Sequence, residues 1–461
     1  MRLNTDGGIG KYIVTDRSFY RRAMMIVIPV LCQNLINQGV NMMDTVMVGQ
    51  LAEASISASS LANQFYQIYN LLCMGISAAG LVLAAQYWGA GRPETVRRVF
   101  DLAMQTVIVI ATGFAVLTAL IPERIMRLYT DDEAAIREGV RYLTVTAYIF
   151  LPHGLSLVLS NIVRAVGNAR LGLTISVISF LVNIGCNYVF IVGKRGLPAM
   201  GVQGAALGTL CARAVELTVC AVYMFRIEKV IRYRPGGILK PPSGELLREF
   251  RRLGLPAVIS DTILGLAATA ISAILGHMST EIVSAYAIVV VVDRLCTVAT
   301  GGIASAAGVV IGQTVGEGNI ERARREGWSF LVMTAVIGVL AMALVRFVGV
   351  WSIGLYNITD ETQAIAVSMM HASSIVVFFQ AIQSALSKGI LRGGGDTRFL
   401  MVADVIFQWC ASIPLGMLLG FVLDAPPFWV LVALRIDYII KAVWLTFRLR
   451  GAKWIHKAGP A

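Results

Sequence analysis

The chain has 461 residues, of which 57% are hydrophobic and only 14% charged, with a formal net charge of +12 and a mean hydropathy of +0.72. Soluble proteins carry about 25% charged residues, and the shortfall here runs the whole length, which excludes a water-soluble globule. The basic excess lies in short loops with no nucleic-acid-binding motif, so it reads as juxtamembrane anchoring, with the lipid bilayer as partner and no nucleic acid.

Twelve apolar runs long enough to cross a bilayer follow one another, at approximately 20–50, 55–86, 96–121, 136–163, 170–193, 200–225, 251–276, 280–311, 326–350, 362–390, 399–423 and 427–449. None alternates with a period of two, so each is expected to be a helix, which satisfies its own backbone in lipid. Met1–Arg22 is polar and basic, and no small-residue cleavage site follows, so no cleavable signal is expected.

The first span carries Asp44 well into its outer half, about 22 residues beyond Arg22. No Lys or Arg lies within two turns, and Asn41 and Asn37 share its helical face. The aromatic and Met side chains of the second span (Phe65, Tyr66, Tyr69, Met74) either line a greasy cavity or simply pack. Gln86–Arg98 (QYWGAGRPETVRR) closes it; its Gly-x-Gly lacks a preceding strand and a third glycine, so it predicts a tight turn and not a phosphate cradle.

In the fifth span Asn183 and Asn187 form an i, i+4 pair at a depth comparable to Asp44. A carboxyl with amide neighbours at that depth can take a proton, or Na⁺ through hard oxygen ligands; alternatively the amides glue helices together and Asp44 only hydrogen-bonds to them. In the sixth span Arg213 and Glu216 are three apart and predict a structural pair. The polar stretch Arg226–Arg252, broken by Pro235-Gly236-Gly237 and Pro241-Pro242, predicts a cytoplasmic connector.

Beyond it the sequence repeats itself. Gln313–Arg325 (QTVGEGNIERARR) shares Gln, two Gly, Glu and two Arg with Gln86–Arg98, 227 positions later. Pro29 and Gly49 recur as Pro256 and Gly276, and Leu128-Tyr129 as Leu355-Tyr356, at the same offset. Ile162–Arg170 (IVRAVGNAR) returns as Ile390–Arg398 (ILRGGGDTR), one residue further on. A duplicated chain predicts two homologous six-helix bundles, residues 1–225 and 251–461, joined by the linker 226–250. Six is even, so the copies are parallel repeats, and a substrate site in a central cavity with alternating access is the expected layout.

The second half holds its own intramembrane charges. Asp293 stands beside Arg294, but adjacent helical residues point about 100° apart, so it requires another partner or contact with substrate. Asp261 and Asp404 are open to interfacial snorkelling or helix packing, and Arg346 to either. Asp437 and Lys441, four apart, predict a structural pair. The seven Cys are scattered singly, which suits packing and not a metal or disulfide framework.

Orientation follows from Lys and Arg. With the N-terminus inside, 28 of the 39 bases fall in the cytoplasm, 6 outside (Arg124, Arg127, Arg137, Arg141, Lys194, Arg195) and 5 within spans. That asymmetry predicts both termini in the cytoplasm.

Several stretches together resemble the multidrug and toxic compound extrusion (MATE) family over nearly the whole chain. They are Pro29 with Met43–Gly49 (MDTVMVG), the Gln86–Gly91 turn, Gly167–Arg170, Asn183–Asn187 (NIGCN), Gly201–Gly208 (GVQGAALG) and Leu391–Asp396 (LRGGGD). The resemblance implies an all-α plasma-membrane protein that exports small, amphipathic, mainly cationic organic compounds in exchange for H⁺ or Na⁺, without a cofactor and as a monomer. It also implies that Asp44, Asn183 and Asn187, with Asn37 and Asn41 beside them, form the ion-coupling site. Leu264 stands where some members have an acid in the seventh span, with Asp261 one turn earlier, and Gln380 where some have one in the tenth. No second ion site is therefore carried over. Asp293, Asp261, Tyr66 and Gln380 are the candidates for lining the substrate cavity.

The alternative function is a flippase for lipid-linked precursors, which would favour more intramembrane Lys and Arg than are present. An intramembrane enzyme would need clustered His and Asp or a nucleophile with its base, and the four His (His153, His277, His371, His456) are apart in sequence.

Overall fold

The computed structural model describes residues 13–49, 53–193, 200–229, 231–233, 235–238 and 240–459, and these are almost wholly helical. In chain order the helices are α1 (Arg17–Val48), α2 (Glu53–Gly89), α3 (Pro93–Leu120), α4 (Pro122–Arg127), α5 (Glu133–Thr146), α6 (Phe150–Ala165), α7 (Arg170–Val192) and α8 (Gly201–Val222). The second half continues with α9 (Gly244–Met278), α10 (Thr280–Gly316), α11 (Ile320–Leu344), α12 (Val350–Ile353), α13 (Asp360–Ser384) and α14 (Leu391–Gly393). It ends with α15 (Thr397–Val405), α16 (Ile413–Met417), α17 (Pro427–Leu434) and α18 (Ile436–Arg450). Wide π-helical turns such as Val345–Gly349 and Ala385–Ile390 link α11 to α12 and α13 to α14.

Among the described residues ten helical spans are long and apolar enough to cross a membrane, and α5 with α6 supplies an eleventh. The expected fourth span is thus two helices bent by 50°. Pro152 lies just past the bend and has no N–H to give the Tyr148 carbonyl, so the ladder opens there. The twelfth expected span, 427–449, is likewise interrupted: α17 and α18 are separated by Arg435, whose backbone leaves helical geometry at φ −122°. Lys194 and Arg195, expected in an outside loop, lie outside the described residues.

Helix ends follow local chemistry. Ser279 caps α10 by accepting from the Ile282 N–H (3.2 Å), and Asn319 caps α11 by accepting from Arg322 N–H (3.0 Å). The seventh span begins earlier than its apolar run, because Ser243 accepts from Leu246 N–H (3.4 Å) and starts α9 inside the basic connector. The repeated glycines Gly167 (φ +98°) and Gly395 (φ +91°) end α6 and α14 in the left-handed region that a side chain would disfavour.

Two compact units are present. One gathers the described residues through Leu31, Ala85–Gly91 and Leu255–Gly459; the other gathers Cys32–Ala84 and Arg92–Gly254. The first is centred on buried apolar residues of α9, α10, α13 and α17, among them Leu275, Val289, Met369, Met370 and Leu431. Within it the two copies of the repeated turn meet. A Cβ on Gly89 would lie 1.9 Å from the Gln313 carbonyl oxygen, and one on Gly316 would lie 1.9 Å from that of Gln86. Each copy's glycine is therefore seated on the other copy's glutamine, which gives the repeated Gln-x-x-Gly spacing a packing role.

The C-terminal tail completes this contact. Gln86 donates to the carbonyls of Gly393 (3.2 Å) and His456 (3.3 Å) and accepts from Ala458 N–H (2.8 Å). Trp454 is fully buried against Gly394. In the second unit the connector lies along α3: Arg97 donates to the Ile231 carbonyl (2.6 Å), Gln105 to those of Ile238 (2.6 Å) and Lys240 (2.7 Å), and Tyr233 to Asp101 (2.7 Å). The Tyr233 hydroxyl is driven up from its ordinary value by burial and by that carboxylate.

Candidate ion-coupling site

Asp44 lies near the end of α1, partly buried, where α7 brings two amides to it. Asn187 Nδ2 donates to Asp44 Oδ1 at 2.6 Å and lies 3.3 Å from Asn183 Oδ1. Both Asn side chains are buried. Asn187 reaches this position because α8 offers no side chain at Gly208, where a Cβ would stand 2.0 Å from Asn187 Oδ1. That glycine closes the GVQGAALG stretch, so its lack of a side chain is a packing requirement of the site. Among the described residues Asn187 Oδ1 has no hydrogen-bond partner, which leaves an acceptor free beside the carboxylate.

Asn37 and Asn41 are exposed on α1, with Asn41 donating to Gln38 at 3.4 Å.

A second polar cluster lies in the same unit. Arg213 pairs with Glu216 at 2.8 Å, as their spacing predicts, and Glu216 accepts from Ser156 (3.3 Å). His153 Nε2 is 3.1 Å from Asn70 Oδ1, and its ring lies 5.5 Å from that of Tyr66. Tyr66 also stacks on Phe150 with ring centroids 6.3 Å apart. His153, Glu216 and Asn70 are far apart in sequence, and only the packing of α2, α6 and α8 brings them together.

In the second half Asp261, Asp293, Asp404 and Asp437 are each paired with a base. Asp293 accepts from Arg435 (2.5 Å) and from Ser373 (2.7 and 2.8 Å), with Tyr286 under the guanidinium. Asp261 is held by Arg392 at 3.2 Å. Lys441 is fully buried between Asp437 (2.8 Å) and Asp404 (3.1 Å), and Ser260 donates to Asp404 (2.5 Å). The spacing argument finds Lys441 with Asp437, whereas the third member and the Arg435 and Arg392 partnerships need the fold. Gln380 on α13 has its side-chain oxygen buried without a hydrogen-bond partner. Of Asp44, Asp261, Asp293, Asp404 and Asp437, Asp44 alone forms no salt bridge with any described residue.

The family model MatE matches this chain twice, over residues 29–189 and again over 256–418. The chain belongs to the MatE family. The double match coincides with the internal duplication, and membership makes the protein a MATE transporter of multi-pass, all-α architecture and not an enzyme. The probable multidrug resistance protein NorM of Agrobacterium fabrum is 27% identical over 456 residues, which cover 94% of this chain and 96% of that one. The multidrug resistance protein MdtK of Yersinia pseudotuberculosis is 24% identical over 469 residues, covering 97% of each.

Solved structures show the same fold. A MOP superfamily transporter from Pyrococcus furiosus superposes with a TM-score of 0.86 at 17% identity, covering 94% of this chain and 97% of that one. A multidrug resistance MATE family transporter in an outward-facing conformation gives 0.86 at 18% identity, covering 98% and 100%. In MATE transporters of this fold twelve helices form two bundles, which accounts for the α17–α18 segment as the twelfth crossing despite its break at Arg435.

Proposed function

We propose that this MATE transporter is a multidrug exporter that drives amphipathic, mainly cationic organic compounds out of the cell in exchange for H⁺ or Na⁺. It would work by alternating access as a monomer in the plasma membrane, with both termini in the cytoplasm. Residues 1–225 and 251–461 would be its homologous halves, joined by 226–250. The observation that carries the reading is the carboxylate of Asp44, bonded to Asn187 at 2.6 Å and in no ion pair among the described residues, with the nearby Arg213 taken up by Glu216.

An unpaired carboxylate held at this depth is costly, so it persists where a function needs it. In the ionised state Asn187 presents Nδ2 to Asp44. A proton on the carboxyl, or a Na⁺ beside it, instead calls for an oxygen, and a half-turn of the Asn187 amide offers Oδ1; Asn183 Oδ1 is a second ligand for Na⁺. Either ion would remake the contact between α1 and α7. Coupling then requires that ion and drug favour different conformations of the carrier. Asp293, Asp261, Tyr66 and Gln380 remain the candidates for substrate contact.

The test is Asp44→Asn, followed in proteoliposomes under an imposed H⁺ or Na⁺ gradient with a cationic dye as substrate. Normal membrane insertion with loss of gradient-driven efflux is expected. Equal efflux from variant and parent would remove Asp44 from the coupling role.

A further inference from the structure

Apart from the ion-coupling residues, α7 and α8 enclose a groove of about 360 Å³ at the end of their hairpin that carries Asn168–Arg170 and Tyr223–Ile227. That volume lies within the ~300–1,000 Å³ typical of ligand pockets. Its wall is apolar, formed by Leu171, Val219, Val222 and Ile227, and the exposed Thr174, Thr218 and Val222 mark its open side.

The rim is polar. Asn168 uses both ends of its amide, accepting from Arg170 N–H (3.1 Å) and donating to the Tyr223 hydroxyl (2.5 Å). Arg170 is exposed, and its guanidinium forms no hydrogen bond or ion pair with another described residue. It opens α7, so the free N–H groups of the first turn add to the positive potential there.

The Lys and Arg asymmetry places this end of the hairpin at the cytoplasmic interface. A lipid-side apolar furrow with an unpartnered cation at headgroup depth suits one class of occupant. A soluble anion would gain nothing from the apolar wall, and a neutral chain would gain nothing from Arg170.

We propose that the groove between α7 and α8 seats one acyl chain of an anionic phospholipid whose phosphate pairs with Arg170. One basic group at an anionic surface is worth about 1 kcal/mol, or roughly a five-fold preference over a zwitterionic lipid.

The full chain is reconstituted with phosphatidylglycerol or phosphatidylcholine carrying a photoactivatable acyl chain, and labelled residues are mapped by mass spectrometry. Label is expected on Thr174, Thr218 and Val222, about five-fold stronger from phosphatidylglycerol. Arg170→Gln should abolish the preference while Arg170→Lys keeps it, and Thr218→Trp, which fills the groove, should reduce labelling by both lipids. Equal labelling of the parent by the two lipids, or a preference that survives Arg170→Gln, overturns the proposal. So does competition by glycerol phosphate alone, which would mark a headgroup site without an acyl seat. Arg170→Lys elutes and labels like the parent if the site is as described, so a folding defect in one variant cannot mimic the pattern.

Discussion

The contact between the two repeated turns makes a quantitative prediction for Gly89→Ala. The added Cβ would stand 1.9 Å from the Gln313 carbonyl oxygen, where contacts under 3.0 Å are essentially never found, so the two backbones must part by about 1 Å or more. The obstacle is main chain within α10 and cannot swing aside like a flexible side chain. Overpacking of this kind costs about 1–3 kcal/mol, and the upper end applies because the helices have to separate. Helix propensity alone would act the other way, favouring Ala by about 1 kcal/mol.

Gly113 supplies the control: it lies in the middle of α3, and a methyl group added there would meet nothing within 4 Å. Gly113→Ala should therefore stabilise by roughly 0.5–1 kcal/mol. Thermal melting of the purified protein in detergent should show Gly89→Ala and Gly316→Ala well below the parent and Gly113→Ala at or above it. The double variant Gly89→Ala/Gly316→Ala should lose less than the two single losses combined, because one separation relieves both clashes. A Gly89→Ala protein that melts with the parent refutes the reasoning.

Two further predictions come from buried groups in the same unit. Lys441→Met leaves Asp404 and Asp437 without their shared cation and should cost about 3–5 kcal/mol, seen as a lower melting temperature. Adding Asp404→Asn and Asp437→Asn should recover most of the loss, and failure to recover would mean that the ammonium stem, not the charge, is what matters. Trp454→Ala should cost about 3–5 kcal/mol and free the tail from Gln86, measured as faster tryptic cleavage at Lys453 and Lys457.

Much of this architecture is legible in the sequence because membrane helices obey few rules. Apolar length marks the spans, and the offset of 227–228 positions marks the duplication that the family model matches twice. Bends are less accessible. The break at Arg435 carries no proline or glycine, and it is stabilised by a partner, Asp293, 142 positions away. The same limit applies to charge. Spacing along one helix pairs Arg213 with Glu216 and Lys441 with Asp437, since i, i+3 and i, i+4 residues are neighbours whatever the tertiary fold. No such rule connects Asp261 to Arg392, 131 positions apart, or Asp404 to Lys441, 37 apart. Asp44 with Asn187 is reachable only through equal depth in two spans, a weaker signal that leaves Asn37 and Asn41 as equal candidates.

The duplication bears on why the proposed ion coupling is assigned to one half and not to the other. At the offset fixed by Pro29 with Pro256 and Gly49 with Gly276, Asp44 corresponds to Ile271. Ile271 is buried in the apolar core of its unit. At the offset fixed by Ile162–Arg170 with Ile390–Arg398, Asn183 and Asn187 correspond to Ala411 and Leu415, and Arg213 to Lys441. Both halves thus keep a base at the equivalent place but use it differently. Lys441 is enclosed by two carboxylates, whereas Arg213 is satisfied by Glu216 and makes no ion pair with Asp44. An arriving cation gains little from a carboxylate already neutralised by a lysine or arginine, because it must first displace that partner. It gains more at Asp44, which is bonded to an amide and whose nearby cation, Arg213, is paired with Glu216. By that criterion the proposed coupling belongs to the α1–α7 contact, and not to Asp261, Asp293, Asp404 and Asp437 of the second half, each of which is already paired with a base.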